Sequence, residues 1–138
     1  MGRIGRSLAA GVLLALGAGC GEELGPVSFK TTRVRGVVSV GGEPVKGGFI
    51  EVTPILGTVG NLRTAPIGPD GRFDIDRVPV GKNAIGIMYA PIAPRLLSTF
   101  HPLGTPIHRT IRDGESAELK LDLLTEMLRD RRSQGEGS

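Results

Sequence analysis

The sequence predicts an all-β fold, a β-sandwich of seven short strands, from two observations. Twenty-two glycines and ten prolines are scattered among valines and isoleucines along 138 residues, a composition that favours short strands joined by turns. Apolar and polar residues also alternate in short segments, and turn sequences separate these segments at regular intervals. The length suits one domain of ordinary size.

The first four predicted strands alternate inward apolar residues with outward polar ones. The first strand begins near Val34 and ends at the turn 41–44, and the second stops at Pro54. A third strand covers residues 63–68, and the turn 69–71 leads directly into the fourth. The inward positions are Val34, Gly36, Val38, Val40, Ile50, Val52, Phe73 and Ile75, and the outward ones include Arg35, Glu51 and Asp74.

The second half of the chain carries three more strand patterns. The turn 78–81 precedes a fifth strand with Ile85, Ile87 and Tyr89 on its inward face, and a proline-rich loop follows over residues 90–105. Residues 107–112 and 115–123 are predicted to form a hairpin through Asp113-Gly114. The inward face of its second strand consists of Leu119, Leu121 and Leu123. Residues 124–138 then form a short helix or a disordered tail.

One charged residue interrupts an inward face. Arg109 lies between Ile107 and Ile111, where a buried charge is costly unless it is paired or lies near an end of the sheet. An inward charge on an edge strand also discourages edge-to-edge association. The sequence therefore predicts that the strand containing Arg109 lies at a sheet edge.

The first 19 residues have the order of a secretory signal peptide. Arg3 and Arg6 precede an apolar run at residues 8–16, and small residues lead to Cys20, the only cysteine in the chain. The run is shorter than the roughly 20 residues of a membrane-spanning helix. Residues 20–31 lack periodicity and are interpreted as a tether before a domain at residues 32–123.

Residues 14–20 resemble the lipobox of bacterial lipoproteins. In that family the cysteine becomes the first residue of the mature protein and carries lipid. The resemblance implies that Cys20 is a lipid attachment site that holds the domain at a membrane of the cell envelope, outside the cytoplasm. Lipidation would also cap a thiol that is otherwise unpaired in an oxidising compartment. The alternative is an ordinary cleaved signal in which Cys20 has no role.

The strand and turn motifs resemble carboxypeptidase regulatory-like domains. Residues 34–48 match the V-x-G-x-V and G-x-P-V-x-G opening of that family. Residues 70–73 match its D-G-x-F turn, and residues 78–81 match its V-P-x-G turn. Residues 105–123 resemble the last hairpin of small bacterial lipoproteins that carry such a domain. The resemblance implies a single seven-stranded transthyretin-like (prealbumin-like) Greek-key β-sandwich.

The residues that could bind a metal ion are few. Asp70, Asp74 and Asp76 form the best carboxylate group, and calcium prefers several oxygen ligands, so these three are candidate calcium ligands. The alternative is a solvated strand face next to a turn aspartate. His101 and His108 lack the companions of a zinc site and are interpreted as surface residues, so no resident metal or cofactor is expected.

Composition limits the classes of partner. Loss of Arg3 and Arg6 with the signal leaves 15 basic against 14 acidic residues, a net charge of about +1, and aromatic residues are scarce, so nucleic acid is not expected. No catalytic set can be assembled from the motifs, and the chain is not expected to be an enzyme. We expect a non-catalytic, lipid-anchored envelope module that is structural or binds an envelope protein or carbohydrate. The alternative is an accessory subunit of an envelope enzyme or transporter.

Overall fold

The computed structural model describes residues 29–114 and 118–137. Within these ranges the chain is mainly strand and forms two sheets. The strands are β1 (Thr31–Val40), β2 (Glu43–Pro44), β3 (Phe49–Pro54), β4 (Arg63–Pro66), β5 (Arg72–Pro79), β6 (Gly81–Met88), β7 (His108–Ile111) and β8 (Glu118–Asp122). The helices are α1 (Pro94–Thr99) and α2 (Leu123–Gly135).

The first sheet is organised around β1. Strand β5 pairs antiparallel with one side of β1, and β8 pairs parallel with the other. The short strand β2 pairs with the end of β1, as Ser39 lies opposite Pro44. The second sheet has the antiparallel order β4-β3-β6-β7. Strand β7 is therefore an edge strand, as the position of Arg109 predicts.

The two sheets enclose a shared apolar core, consistent with the predicted all-β sandwich. Representative inward residues on five strands are all buried, as the alternation predicts: Val38, Ile50, Phe73, Ile87 and Leu121. Arg35 and Asp74 are exposed, also as predicted. Glu51 is only half-buried rather than exposed, because β3 lies between β4 and β6 in the second sheet.

The predicted hairpin of the last two strands is wrong. Strand β7 pairs with β6 in the second sheet, whereas β8 pairs with β1 in the first. The segment after Ile111 thus carries the chain from one sheet to the other. A turn sequence such as Asp113-Gly114 reverses the chain locally but does not determine which strands pair afterwards.

Two inward positions are also corrected by the structure. Tyr89 follows the end of β6 with a φ of 54°, and this conformation turns its side chain out, to 81% exposure. Its ring packs edge-on against that of Phe49, with 6.4 Å between centroids. Leu123 is buried, but it begins α2 rather than ending a strand. Helix α2 continues to Gly135, so most of the predicted tail is helical.

The strand count also differs from the prediction. Eight strands lie within the described residues, because the two-residue strand β2 occupies part of the predicted turn 41–44. The other seven correspond to the predicted segments. The proline-rich loop, predicted without regular structure, contains α1, and its Phe100 is completely buried. This loop runs beside β6, where the Ile87 amide donates to the Phe100 carbonyl.

Candidate functional site

A groove of about 610 Å³ lies where β1, β5 and β8 meet the segment between β4 and β5. We call it the charged groove. Four charged side chains line it, namely Arg35, Arg72, Asp74 and Glu118. The remaining lining comes from the smaller or apolar residues Gly36, Pro66, Gly68 and Phe73. The groove therefore combines both signs of charge with an apolar surface.

The shape of this region depends on a glycine in β1. A Cβ atom at Gly36 would lie 2.3 Å from the carbonyl oxygen of Leu119 and 2.5 Å from Cζ of Phe73. Only glycine leaves room for both the β8 backbone and the Phe73 ring at that distance. The alternation of β1 predicts that Gly36 is an inward residue. It does not predict the close approach of Gly36 to β8, which results from the parallel pairing of the two strands.

Ion pairs organise the charged groove. The Arg33 guanidinium, just outside it, donates through Nε to Oδ1 of Asp74 at 2.7 Å, and Arg35 Nε lies 3.5 Å from Oδ2. The hydrogen bond from Arg33 lowers the pKa of Asp74 and raises the pKa of Arg33. Across the groove, Arg72 lies 3.6 Å from Glu118. These pairs are exposed and add little stability, so their charges are accessible to a polar ligand.

The three candidate calcium ligands have different surroundings. Asp74 is paired with arginines, and Asp70 accepts the Arg72 amide at 3.1 Å within its own turn. Asp76 is exposed, and its backbone carbonyl accepts a hydrogen bond from Arg63. Among the described residues, no group of three or more histidine, cysteine, aspartate or glutamate side chains is arranged to hold a metal ion. The structure does not bring these carboxylates together.

The two histidines are both exposed, as the sequence predicts. His101 accepts the Leu103 amide through Nδ1 at 3.3 Å in the loop after α1. His108 lies on the edge strand β7. Cys20, the proposed lipid attachment site, lies outside the described residues together with the signal segment and most of the tether.

A second groove is mostly apolar and was not predicted from the sequence. It has a volume of about 510 Å³ and lies between the β1–β2 turn region and α1. Its apolar lining includes Val40, Val45, Ile92 and Leu96, and its charged residues are Glu43 and Lys46. We call it the apolar groove. The proline-rich loop supplies one side of this groove through Pro91, Ile92, Ala93 and, from α1, Leu96. The sequence of the loop has no periodicity that would have predicted α1.

Asp122 connects three parts of the molecule. Its carboxylate accepts hydrogen bonds from the Leu124 and Thr125 amides and thus caps the N-terminus of α2. It also accepts the Ser39 hydroxyl at 3.0 Å and the Gly42 amide at 2.8 Å. Burial alone would raise the pKa of Asp122, but the hydrogen bonds from these amides and the hydroxyl outweigh burial and lower it. Asp122 is therefore a structural residue that fixes α2 to the end of β1.

A buried ion pair joins α2 to the second sheet. Arg109 on β7 contacts the carboxylate of Glu126, whose side chain is only 6% exposed. Arg129 lies 3.3 Å from the same carboxylate but is itself largely exposed. Edge position and pairing together explain how an arginine is tolerated on the inward face of β7. The sequence predicted that β7 is an edge strand, but it did not identify Glu126 as the partner of Arg109.

A scan against protein-family models, a search of curated proteins and a search of solved structures each found no match to this chain. None of the helices in the described part of the chain has the length and apolar character needed to cross a membrane.

Proposed function

We propose that this chain is a non-catalytic module of the bacterial cell envelope, anchored by lipid on Cys20, that binds a polar ligand in the charged groove. Its domain is a β-sandwich of the transthyretin-like Greek-key type, related to carboxypeptidase regulatory-like domains. The two sheets with a common core and the motifs at residues 34–48, 70–73 and 78–81 support this assignment.

The charged groove is the observation that carries the binding function. Two guanidinium groups and two carboxylates line a concavity of about 610 Å³ next to an apolar floor. Such a surface matches a ligand that has both charges and hydrogen-bonding groups, for example a segment of an envelope protein or a charged carbohydrate. Phe73 is 4% exposed, so its ring cannot stack against a ligand. The four charged side chains of the groove would therefore determine which ligand binds.

The apolar groove favours a second candidate function, that of an accessory subunit. An apolar concavity with a charged residue of each sign at its margin suits an apolar side chain from a protein partner. In this role the chain would support an envelope enzyme or transporter. Its own activity would remain binding.

Photo-crosslinking in intact cells tests the charged groove. We expect the full chain with p-benzoylphenylalanine in place of Pro66, an exposed and uncharged residue of the groove lining, to give one defined adduct on irradiation, because a bound ligand would lie against this position. The adduct should be lost when Arg72→Glu reverses the charge across the groove. The matched control carries the same photoreactive residue at Thr110, which is exposed on β7 of the other sheet.

Electrophoresis and mass spectrometry of the adducts decide between the outcomes. A defined adduct at position 66 that is absent at position 110 supports the charged groove as the binding site. No adduct at position 66, or the same products at both positions, contradicts it.

A further inference from the structure

The loop between β3 and β4, residues 55–62, exposes an unusual amount of apolar surface. Within the described residues, Leu56 is 78% exposed, Val59 57% and Leu62 50%. Single exposed apolar residues are common, but three within one short loop make that loop a candidate for contact with an apolar phase. We call this segment the β3–β4 loop.

The backbone of this loop is held in a fixed conformation. Leu56 has a φ of 51°, a left-handed conformation that is unfavourable for a bulky residue. Hydrogen bonds on both sides retain it, from the Ile55 amide to the Lys82 carbonyl at 3.0 Å and from the Thr58 amide to the Ile55 carbonyl. Strained conformations that the surroundings maintain are concentrated at functional positions. The backbone that carries the most exposed apolar side chain of the loop is thus held by these hydrogen bonds.

The described chain begins beside this loop. A Cβ atom at Gly60 would lie 3.1 Å from the ring of Phe29 and 2.4 Å from Pro79. The Val80 amide donates to the Lys30 carbonyl at 2.9 Å. The segment that leads back to Cys20 therefore joins the domain at the same end of the molecule as the β3–β4 loop.

Chain length limits how far this end can lie from an anchor. Eight residues lie between Cys20 and Phe29, and the nine Cα–Cα steps that join the two span at most about 30 Å even when fully extended. A lipid on Cys20 would keep this end of the domain within that distance of the bilayer. Phe49 and Tyr89 lie at the opposite end of the domain, because Phe49 begins β3 and Tyr89 follows the last residue of β6.

The charges around this end also suit a lipid surface. Lys82 and Arg112 are exposed on neighbouring segments, where Gly81 pairs with Ile111. Lys30 is also exposed, and it pairs with Asp113 at 3.3 Å. Exposed lysine and arginine side chains are attracted to anionic headgroups.

We propose that the β3–β4 loop is a second membrane contact, which inserts Leu56, Val59 and Leu62 into the lipid interface beside the anchor. This inference rests on the proposed lipid anchor at Cys20. Apolar side chains that reach the headgroup–acyl boundary add to the membrane binding that a lipid anchor provides. The loop would also fix the orientation of the domain, with the Phe49–Tyr89 end directed away from the membrane.

Tryptophan fluorescence tests the loop directly, since the chain has no tryptophan of its own. The probes are Leu56→Trp and, because position 56 is strained, Leu62→Trp as a second variant. Tyr89→Trp is the matched control, since Tyr89 is 81% exposed at the opposite end. Each full-length variant is purified from membranes and reconstituted into vesicles of phosphatidylethanolamine and phosphatidylglycerol with brominated acyl chains. We expect both loop tryptophans to lose most of their emission to bromine quenching and the control to keep its emission.

Flotation of the same samples separates this inference from the proposed anchor. Chains that do not float with the vesicles overturn the anchor and with it the inference. Chains that float but whose loop tryptophans are quenched no more than the control overturn the inference and leave the anchor standing. A blue shift without bromine quenching also overturns it, because the loop is then covered by protein, either a second copy or another segment of this chain.

Discussion

Replacing Phe73 by Ala is expected to lower the free energy of unfolding by about 3–5 kcal/mol, through lost transfer energy and an unfilled cavity. Phe73 is 4% exposed and lies in the shared core of the two sheets. Its ring fills the space over Gly36, where even one additional methyl group would clash. The strand backbones on either side limit collapse of the cavity, so we expect the loss of stability to lie within this range.

Urea unfolding monitored by circular dichroism measures this effect. The control is Leu103→Ala, because Leu103 is 93% exposed and its truncation should change the free energy of unfolding by less than about 0.5 kcal/mol. A loss of under about 1 kcal/mol for Phe73→Ala would show that this ring is not part of a packed core. It would also contradict the register assigned to β5.

Replacing Arg109 by Met is expected to cost about 3 kcal/mol or more, because it leaves the Glu126 carboxylate buried without its main partner. The Glu126 side chain is 6% exposed and that of Arg109 is 24% exposed. Arg129 still lies 3.3 Å from the Glu126 carboxylate, but its side chain is 62% exposed, so it stabilises the buried charge less than Arg109 does. The variant should therefore unfold at lower urea concentration while retaining its secondary structure.

The double variant Arg109→Met with Glu126→Leu distinguishes charge burial from simple loss of packing. When both charges are replaced by apolar groups, no unpaired charge remains buried, and most of the stability should return. Equal destabilisation of the single and double variants would mean that packing of the arginine stem, rather than the unpaired carboxylate, explains the loss.

The elements of this fold could be predicted where local pattern determines structure. Alternation along the chain assigned Val38, Ile50 and Phe73 to the core, and turn residues located most strand ends. Strand partners could not be predicted in the same way, because pairing depends on contacts between distant segments. The parallel pairing of β8 with β1 is the main example, since Leu119 and Leu121 would alternate identically in a hairpin.

The charged groove could be predicted only in part, for the same reason. The outward positions of Arg35 and Asp74 follow from alternation, but Glu118 joins them only because β8 lies beside β1. The roles of Asp122 and Glu126 could not be predicted either, because no local sequence pattern identifies their distant partners. Asp122 contacts residues eighty or more positions away, and Glu126 pairs with Arg109 across the interface of helix and sheet.

The mass of the mature N-terminus tests the central claim, that the domain is held in the envelope by lipid on Cys20. We predict that protein isolated from membranes begins at Cys20 and carries acyl chains, and that a Cys20→Ala chain carries none. Mass spectrometry of the N-terminal peptide gives both answers, whereas fractionation does not, because an uncleaved signal could also hold the chain at the membrane. A mature chain that begins at another residue, or at an unmodified Cys20, would contradict lipid anchoring at Cys20.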